Sequence, residues 1–463
     1  MEDWRAELKR LWQIAWPLLI AQTAQMGTGI VDSMMAGHYN EQTLAAIAIG
    51  FNIWLPLYLL VLGAMLGTAS IIAQNFGAQR FDAIREQLPQ TLWLAVFLSF
   101  VVMPLCFASG PLLNWLAIEP GTAALAEGYV EMVALGFPAI GIFMTLRYHT
   151  QGVGITKPFA WAAGIGFLTN IPLNYALIYG AWGAPELGAV GCGIATAVSM
   201  WISTCIISIY VIGSRTLAPY LPAWQVVWPT VSAQMQLLRI GIPVGLTFTF
   251  EMGVFSVIAL LVATLGDNAM AAHQIAFNVW DTFYIPMLAI STAMATRMGH
   301  FIGGRNPQGI RIALTIGLIV TAVLAVAMTS VMLLFPRAIV SLYTDSVEVA
   351  DITVRIVALA ALFIVVDALQ IVMTFVVRAY KDMQFPFWVT TLSYWLIALP
   401  LGYWLGLVRA DSPSDGVAGF WYGIIIGISV CALLLVGRVR TLLLQPLMQV
   451  PDQLRTGGTE TAD

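Results

Sequence analysis

Long apolar stretches separated by short polar interruptions run the length of the chain. They fall at about 11–37, 44–73, 88–109, 125–149, 159–179, 187–213, 237–265, 270–299, 311–335, 350–379, 385–407 and 417–444. Each supplies the roughly 20 residues that a helix needs to cross bilayer hydrocarbon. None shows the alternating segments of about ten residues that mark barrel strands. The pattern predicts an all-α membrane protein of twelve transmembrane helices. The longest interval without a span, 214–236, lies near the middle and holds Pro, Trp and polar residues. It divides the chain into an N-terminal six-helix bundle (1–213), a cytoplasmic linker (214–236), a C-terminal six-helix bundle (237–444) and a cytoplasmic tail (445–463).

Composition agrees with this pattern. The 463 residues are 59% hydrophobic and only 10% charged, against about 25% charged in soluble domains. Such a chain cannot build a water-facing surface, which excludes a soluble enzyme, a nucleic-acid binder and a disordered scaffold. The charges are sorted: of 20 Lys and Arg, all but Arg337, Arg355 and Arg409 fall at the N-terminus, the even-numbered connections or the C-terminal end. Positive charge stays on the cytoplasmic side, so both termini are expected inside. The opening MEDWRAELKR has no short apolar core, and no removable leader is expected. Cys106, Cys192, Cys205 and Cys431 lie in apolar stretches without CxxC spacing and read as reduced packing residues. The four histidines are scattered and read as interfacial or packing groups. No Gly-Lys-Ser/Thr, HExxH or GxSxG occurs, which removes a P-loop pump and the common protease chemistries. No cofactor is expected.

The chain repeats itself. At an offset of 226, AAIAIGFNIW (45–54) meets AAHQIAFNVW (271–280), Pro17 meets Pro243, Met26-Gly27 meets Met252-Gly253, and Ile84-Arg85 meets Ile310-Arg311. At 228, IPLNY (171–175) meets LPLGY (399–403). Six spans separate equivalent points, so the halves share an orientation and are expected to be related by a pseudo-two-fold axis along the membrane normal. Two parallel bundles around a cleft suit alternating access.

Four acids sit well inside apolar spans: Asp32, Glu251, Asp281 and Asp367. A carboxylate at the bilayer centre costs about 2.5–3.5 kcal/mol on insertion scales, and such residues face cavities where they bind cations or carry protons. No Lys or Arg is read at comparable depth in those spans, so their expected partners are protons, metal cations or a cationic substrate. The acids break the internal symmetry: Asp32 aligns with Ile258, and Glu251 with Gln25. Asn170 and Asn174, four apart and therefore on one helical face, align with Ala398 and Gly402. With Asp32 they form an oxygen-rich cluster suited to a hard cation. Each half thus carries its own polar cluster, the second around Glu251 and Asp367. Asp281 follows Trp280 and is read as facing a water-filled vestibule.

PLLIAQTAQMGTGIVDSMMAGHY, QGVGITKPFAW, AAHQIAFN and TFEMGVFSVIALLVATLG together resemble the multidrug and toxic compound extrusion (MATE) transporters, in their NorM-like bacterial branch. The resemblance covers roughly residues 12–440. It implies a secondary active exporter of the bacterial inner membrane, exchanging lipophilic, often cationic drugs for Na+ or H+. It assigns Asp32, Asn170, Asn174 and Thr196 to a first-half cation site, and Glu251 and Asp367 to a second-half site that ligates Na+ if sodium is the coupling ion. Asp281, Gln274, Asn278 and Phe363 are read as substrate contacts. Phe363 departs from the family, which often carries a tyrosine one turn before the second-half aspartate. The expected partners are small-molecule drugs, a monovalent cation and the bilayer, with the chain acting as a monomer and binding no nucleic acid. A lipid-precursor flippase of the same superfamily is the alternative; it would be expected to show a strongly cationic cavity. A channel would carry a filter motif, and none is visible.

Overall fold

The computed structural model describes residues 2–116, 118–223 and 227–444; the predicted tail at 445–463 and part of the predicted linker, 224–226, lie outside them. Among the described residues the fold is helical throughout, with no strand. The first half of the sequence forms α1 (Glu2–Tyr39), α2 (Glu41–Gly77), α3 (Phe81–Phe107), α4 (Ser109–Trp115), α5 (Pro120–Ala134), α6 (Phe137–Gly152), α7 (Lys157–Tyr179) and α8 (Gly188–Gly213). The second half forms α9 (Val231–Ala263), α10 (Asp267–Gly303), α11 (Pro307–Leu334), α12 (Pro336–Val340), α13 (Val347–Ala379), α14 (Gln384–Leu392), α15 (Leu399–Tyr403) and α16 (Pro413–Leu444).

The predicted spans recur in order, with three refinements. The fourth is broken into α5 and α6, bent by 44°, because Gly136 and Pro138 interrupt the helical hydrogen-bond ladder there. The eleventh continues from α14 through π-helical turns at Ser393–Ala398 and Trp404–Val408, since Pro400 cannot donate to the turn before it. The short helices α4 and α12 carry no periodic signal of their own. Among the described residues, eight helices qualify as membrane spans by length and apolarity, nine with the bent pair. The long helices α1, α7 and α10 are not among them.

The repeat reaches the backbone. The turn after α2 places Gln79 at φ 58°, and the turn after α10 places Arg305, 226 residues on, at φ 52°. Non-glycine residues in this left-handed region are uncommon, so two in register mark the same turn built twice. Gly154 (φ 85°) and Lys381 (φ 63°) pair similarly at 227. Side-chain caps start several helices: Asn40 accepts from the Thr43 amide at 2.6 Å and Asn306 from the Gly309 amide at 2.9 Å, satisfying N–H groups that the helix leaves open.

The described residues form two compact units, 13–246 and 2–12 with 247–444. These limits differ from the sequence division at both ends. Gly241 and Gly245 lie on one face of α9, and a Cβ on either would meet α2: one added at Gly241 would run into the Ala64 backbone, and one added at Gly245 would stand 3.0 Å from the Leu60 Cα. This spacing of small residues lets two backbones touch, and it holds the start of α9 in the first unit. In the second unit, Arg297 on α10 donates through Nε to Glu7 Oε1 at 2.7 Å and through a terminal nitrogen to Oε2 at 2.6 Å. Both side chains are buried. This forked pair fixes the first turns of α1 on α10.

Removing one partner of a buried pair strands the other charge, at a cost of about 3–5 kcal/mol. Glu7→Gln is expected to lower the melting temperature of the solubilised protein substantially, whereas Glu7→Met with Arg297→Met recovers most of the loss. Equal melting of Glu7→Gln and the parent chain would contradict the role given to this pair.

Candidate functional site

The first unit gathers Asp32 from α1, Asn170 and Asn174 from α7, and Thr196 from α8, all buried. The helices come close enough because α8 carries Gly191, where a Cβ would stand 2.3 Å from the Leu177 carbonyl oxygen of α7. Asn174 Nδ2 donates to Asp32 Oδ1 at 2.5 Å and to Asn170 Oδ1 at 3.0 Å, and Thr196 Oγ1 donates to Asp32 Oδ2 at 3.2 Å. Among the described residues the buried Asn174 Oδ1 has no hydrogen-bond partner. An amide oxygen, a hydroxyl and a carboxylate converge here out of contact with solvent, the oxygen chemistry that suits a small hard cation. The predicted first-half residues are therefore assembled as one group.

The second unit gathers Glu251 from α9, Trp280 and Tyr284 from α10, Asp367 from α13 and Tyr394 from the π-helical stretch. Trp280 Nε1 donates to Asp367 Oδ2 at 3.0 Å. Tyr394 hydrogen-bonds with Glu251, and the two acids lie within electrostatic reach of each other. Tyr284 stands within the field of Glu251, Asp367 and Asp281. Aromatic rings wall the cluster: Phe255 stacks on Trp280 at 5.3 Å between centroids, and Phe363 meets Trp280 edge-on at 5.5 Å. Ring faces carry negative potential and favour cations beside them. Among the described residues no three His, Cys, Asp or Glu side chains converge as a metal-binding group.

The other predicted positions separate. Gln274 Nε2 donates to Asn278 Oδ1 at 3.2 Å, and both side chains are exposed. With half-buried Asp281 they follow one another at helical spacing along α10, a polar stripe that hydrocarbon would not tolerate. Phe363 is wholly buried and packs against Phe255, Trp280 and Trp421, so in this structure it holds the Asp367 region by packing and presents no surface to a ligand. The expectation that the acids lack an encoded counter-charge is corrected: Arg378, 5% exposed, lies on α13 within electrostatic reach of Glu251. Sequence reading sorted Arg378 with the cytoplasmic charges because it stands near a helix end, but its side chain turns inward. Trp280 and Tyr284 were also missed, although each is matched in the repeat by Trp54 and Tyr58. Tyr394 has no such mark.

The chain matches the MatE family over residues 17–176 and 243–404, one stretch in each repeat. It belongs to the MATE family. Multidrug resistance protein NorM of Vibrio cholerae serotype O1 is 36% identical over 437 residues, covering 94% of this chain and 95% of that one. Multidrug resistance protein MdtK of Yersinia pseudotuberculosis is 36% identical over 454 residues, covering 96% and 98%. Among solved structures, the eukaryotic MATE transporter AtDTX14 superimposes with a TM-score of 0.85 at 19% identity, covering 97% and 98%. As a MATE protein the chain is a multi-pass membrane transporter and not an enzyme.

Asn174 is the hub of the first cluster, donating to two oxygens at once. Asn174→Leu leaves buried acceptors unpaired, which costs about 1–3 kcal/mol. Thermal melting of the solubilised variant is expected to show that loss; an unchanged melting curve would contradict the geometry.

Proposed function

We propose that this MATE protein is a secondary active multidrug exporter of the bacterial inner membrane, exchanging lipophilic, mostly cationic compounds for Na+ or H+ by alternating access. The observation that carries this reading is the Glu251–Asp367 pair, held by the Tyr394 phenol, the Trp280 indole and aromatic rings, with Arg378 in electrostatic reach. A carboxylate that binds a proton or a sodium ion loses its attraction for a cationic drug. The same groups thus serve both cargoes in turn, and inward flow of the small ion drives release of the large one. The first-half cluster of Asp32, Asn170, Asn174 and Thr196 is a second cation seat. Gln274, Asn278 and Asp281 form the polar stripe along which substrate passes. The sorting of Lys and Arg supports a reading with both termini in the cytoplasm, in which each chain acts as a monomer. The names of the NorM and MdtK relatives favour drugs as cargo. The lipid-precursor alternative needs a cationic basin, whereas buried Arg147 and Arg378 are each seated on aromatic rings.

The energetics fit such an exchange. One charge crossing 100 mV releases about 2.3 kcal/mol, enough to offset roughly a 50-fold gradient of a neutral compound. A monovalent cationic drug exchanged for one cation draws nothing from the potential, so its export requires a chemical gradient or more than one coupling ion.

Glu251→Gln and Asp367→Asn are each expected to fold and insert yet lose gradient-driven export of a lipophilic cationic dye from reconstituted vesicles. Sodium and pH gradients imposed separately identify the coupling ion. Export at the parent rate by both variants would overturn the proposal.

A further inference from the structure

Arg378 is a full charge inside a membrane protein, and its surroundings are specific. Its guanidinium lies 5.0 Å from the centroid of the Phe248 ring and 5.2 Å from that of Phe375. Phe248 precedes Glu251 by three residues on α9, so the ring that seats the arginine and the carboxylate share a face of one helix. Tyr284 on α10 stands within electrostatic reach of Glu251, Asp367, Asp281 and Arg378 together. The remaining titratable groups around Glu251 are Tyr394 of the π-helical stretch and Cys431 of α16. Among the described residues the cluster therefore holds three carboxylates, two phenols, a thiol and one permanent cation, since an arginine keeps its proton at any physiological pH.

The first unit supplies a contrast. Arg147 is equally buried, lies 4.0 Å from the Phe159 ring centroid, and stands beside Tyr58, the repeat counterpart of Tyr284. The counterpart of Glu251 there is neutral Gln25. The arginine–tyrosine arrangement occurs in both units, and the second has a carboxylate added to it.

We infer that Arg378 is a tethered counter-cation for Glu251, a positioning residue that weakens the pull of the Glu251–Asp367 site on every incoming cation. This rests on the export reading and deepens it. With both acids ionised, Arg378 reduces the formal charge of the trio from two negative to one negative, so one monovalent cation, drug or coupling ion, suffices to neutralise it. An exporter has to release its cargo, and a site of two uncompensated buried carboxylates would hold a cation too tightly to turn over.

The test is equilibrium binding of tetraphenylphosphonium, a monovalent lipophilic cation, to the purified full-length protein in detergent. Removing a charge that opposes the ligand inside a protein is worth roughly tenfold in affinity or more. Arg378→Gln is expected to bind tetraphenylphosphonium at least tenfold more tightly than the parent, Arg378→Lys to stay within about threefold of it, and Arg147→Gln to leave it unchanged. A merely structural arginine would give the opposite sign, because loosening the site weakens binding. Unchanged or weaker binding by Arg378→Gln, alongside lost binding in Glu251→Gln, overturns this inference while leaving the export reading standing. No binding by the parent chain overturns both. Should Arg378→Gln fold poorly, Arg378→Gln with Glu251→Gln is expected to melt above it, because the partner charge is gone as well; additive losses in the two single variants and the double overturn the pairing.

Discussion

A carboxylate in the interior of a membrane protein has to be held, and most of the architecture around Asp32, Glu251 and Asp367 follows from that need. Asp32 is satisfied by an amide and a hydroxyl from two other helices. Asp367 is satisfied by an indole N–H, and Glu251 by a phenol with an arginine in reach. None of these donors comes from the helix that carries the acid, so each acid acts as a tie between helices as well as the proposed cation seat. Binding an ion at such a place disturbs the ties among two or three helices at once. This links occupancy of the site to the packing of the unit around it, the physical requirement for any exchange mechanism.

Close backbone approach makes those ties reachable. Gly191 brings α8 onto α7 so that Thr196 meets Asp32, and Gly241 and Gly245 seat the start of α9 on α2. Without a hydrophobic drive between helices in lipid, such small-residue surfaces and a few polar bonds carry the packing. The turns after α2 and α10 repeat the same left-handed residue 226 positions apart. The duplicated scaffold is thus preserved down to the backbone, while the acids placed on it differ between halves.

Much of this was legible in the sequence. Length and apolarity gave the order of the spans because every backbone group in hydrocarbon must be satisfied within its helix. The asparagines at 170 and 174 announced a shared face by their spacing. Asp32 was grouped with them by its depth and its oxygen chemistry, and Thr196 joined only through a resemblance, since nothing in one sequence says which helices touch. Arg378 was misread for a related reason. Its position near the end of α13 resembles that of a cytoplasmic anchor, and only the fold shows the guanidinium turned in over Phe248. Phe363 also needed the structure, since burial among Phe255, Trp280 and Trp421 removes it from any ligand surface.

The central claim is that drug and coupling ion are held by the same carboxylates. The direct measurement is the affinity of the purified chain for tetraphenylphosphonium across a sodium series at fixed pH and a pH series at fixed sodium. The account predicts affinity that falls as sodium rises or as pH drops, because a neutralised carboxylate no longer attracts the organic cation, with the dependence lost in Glu251→Gln. Affinity that stays flat across both series would contradict it.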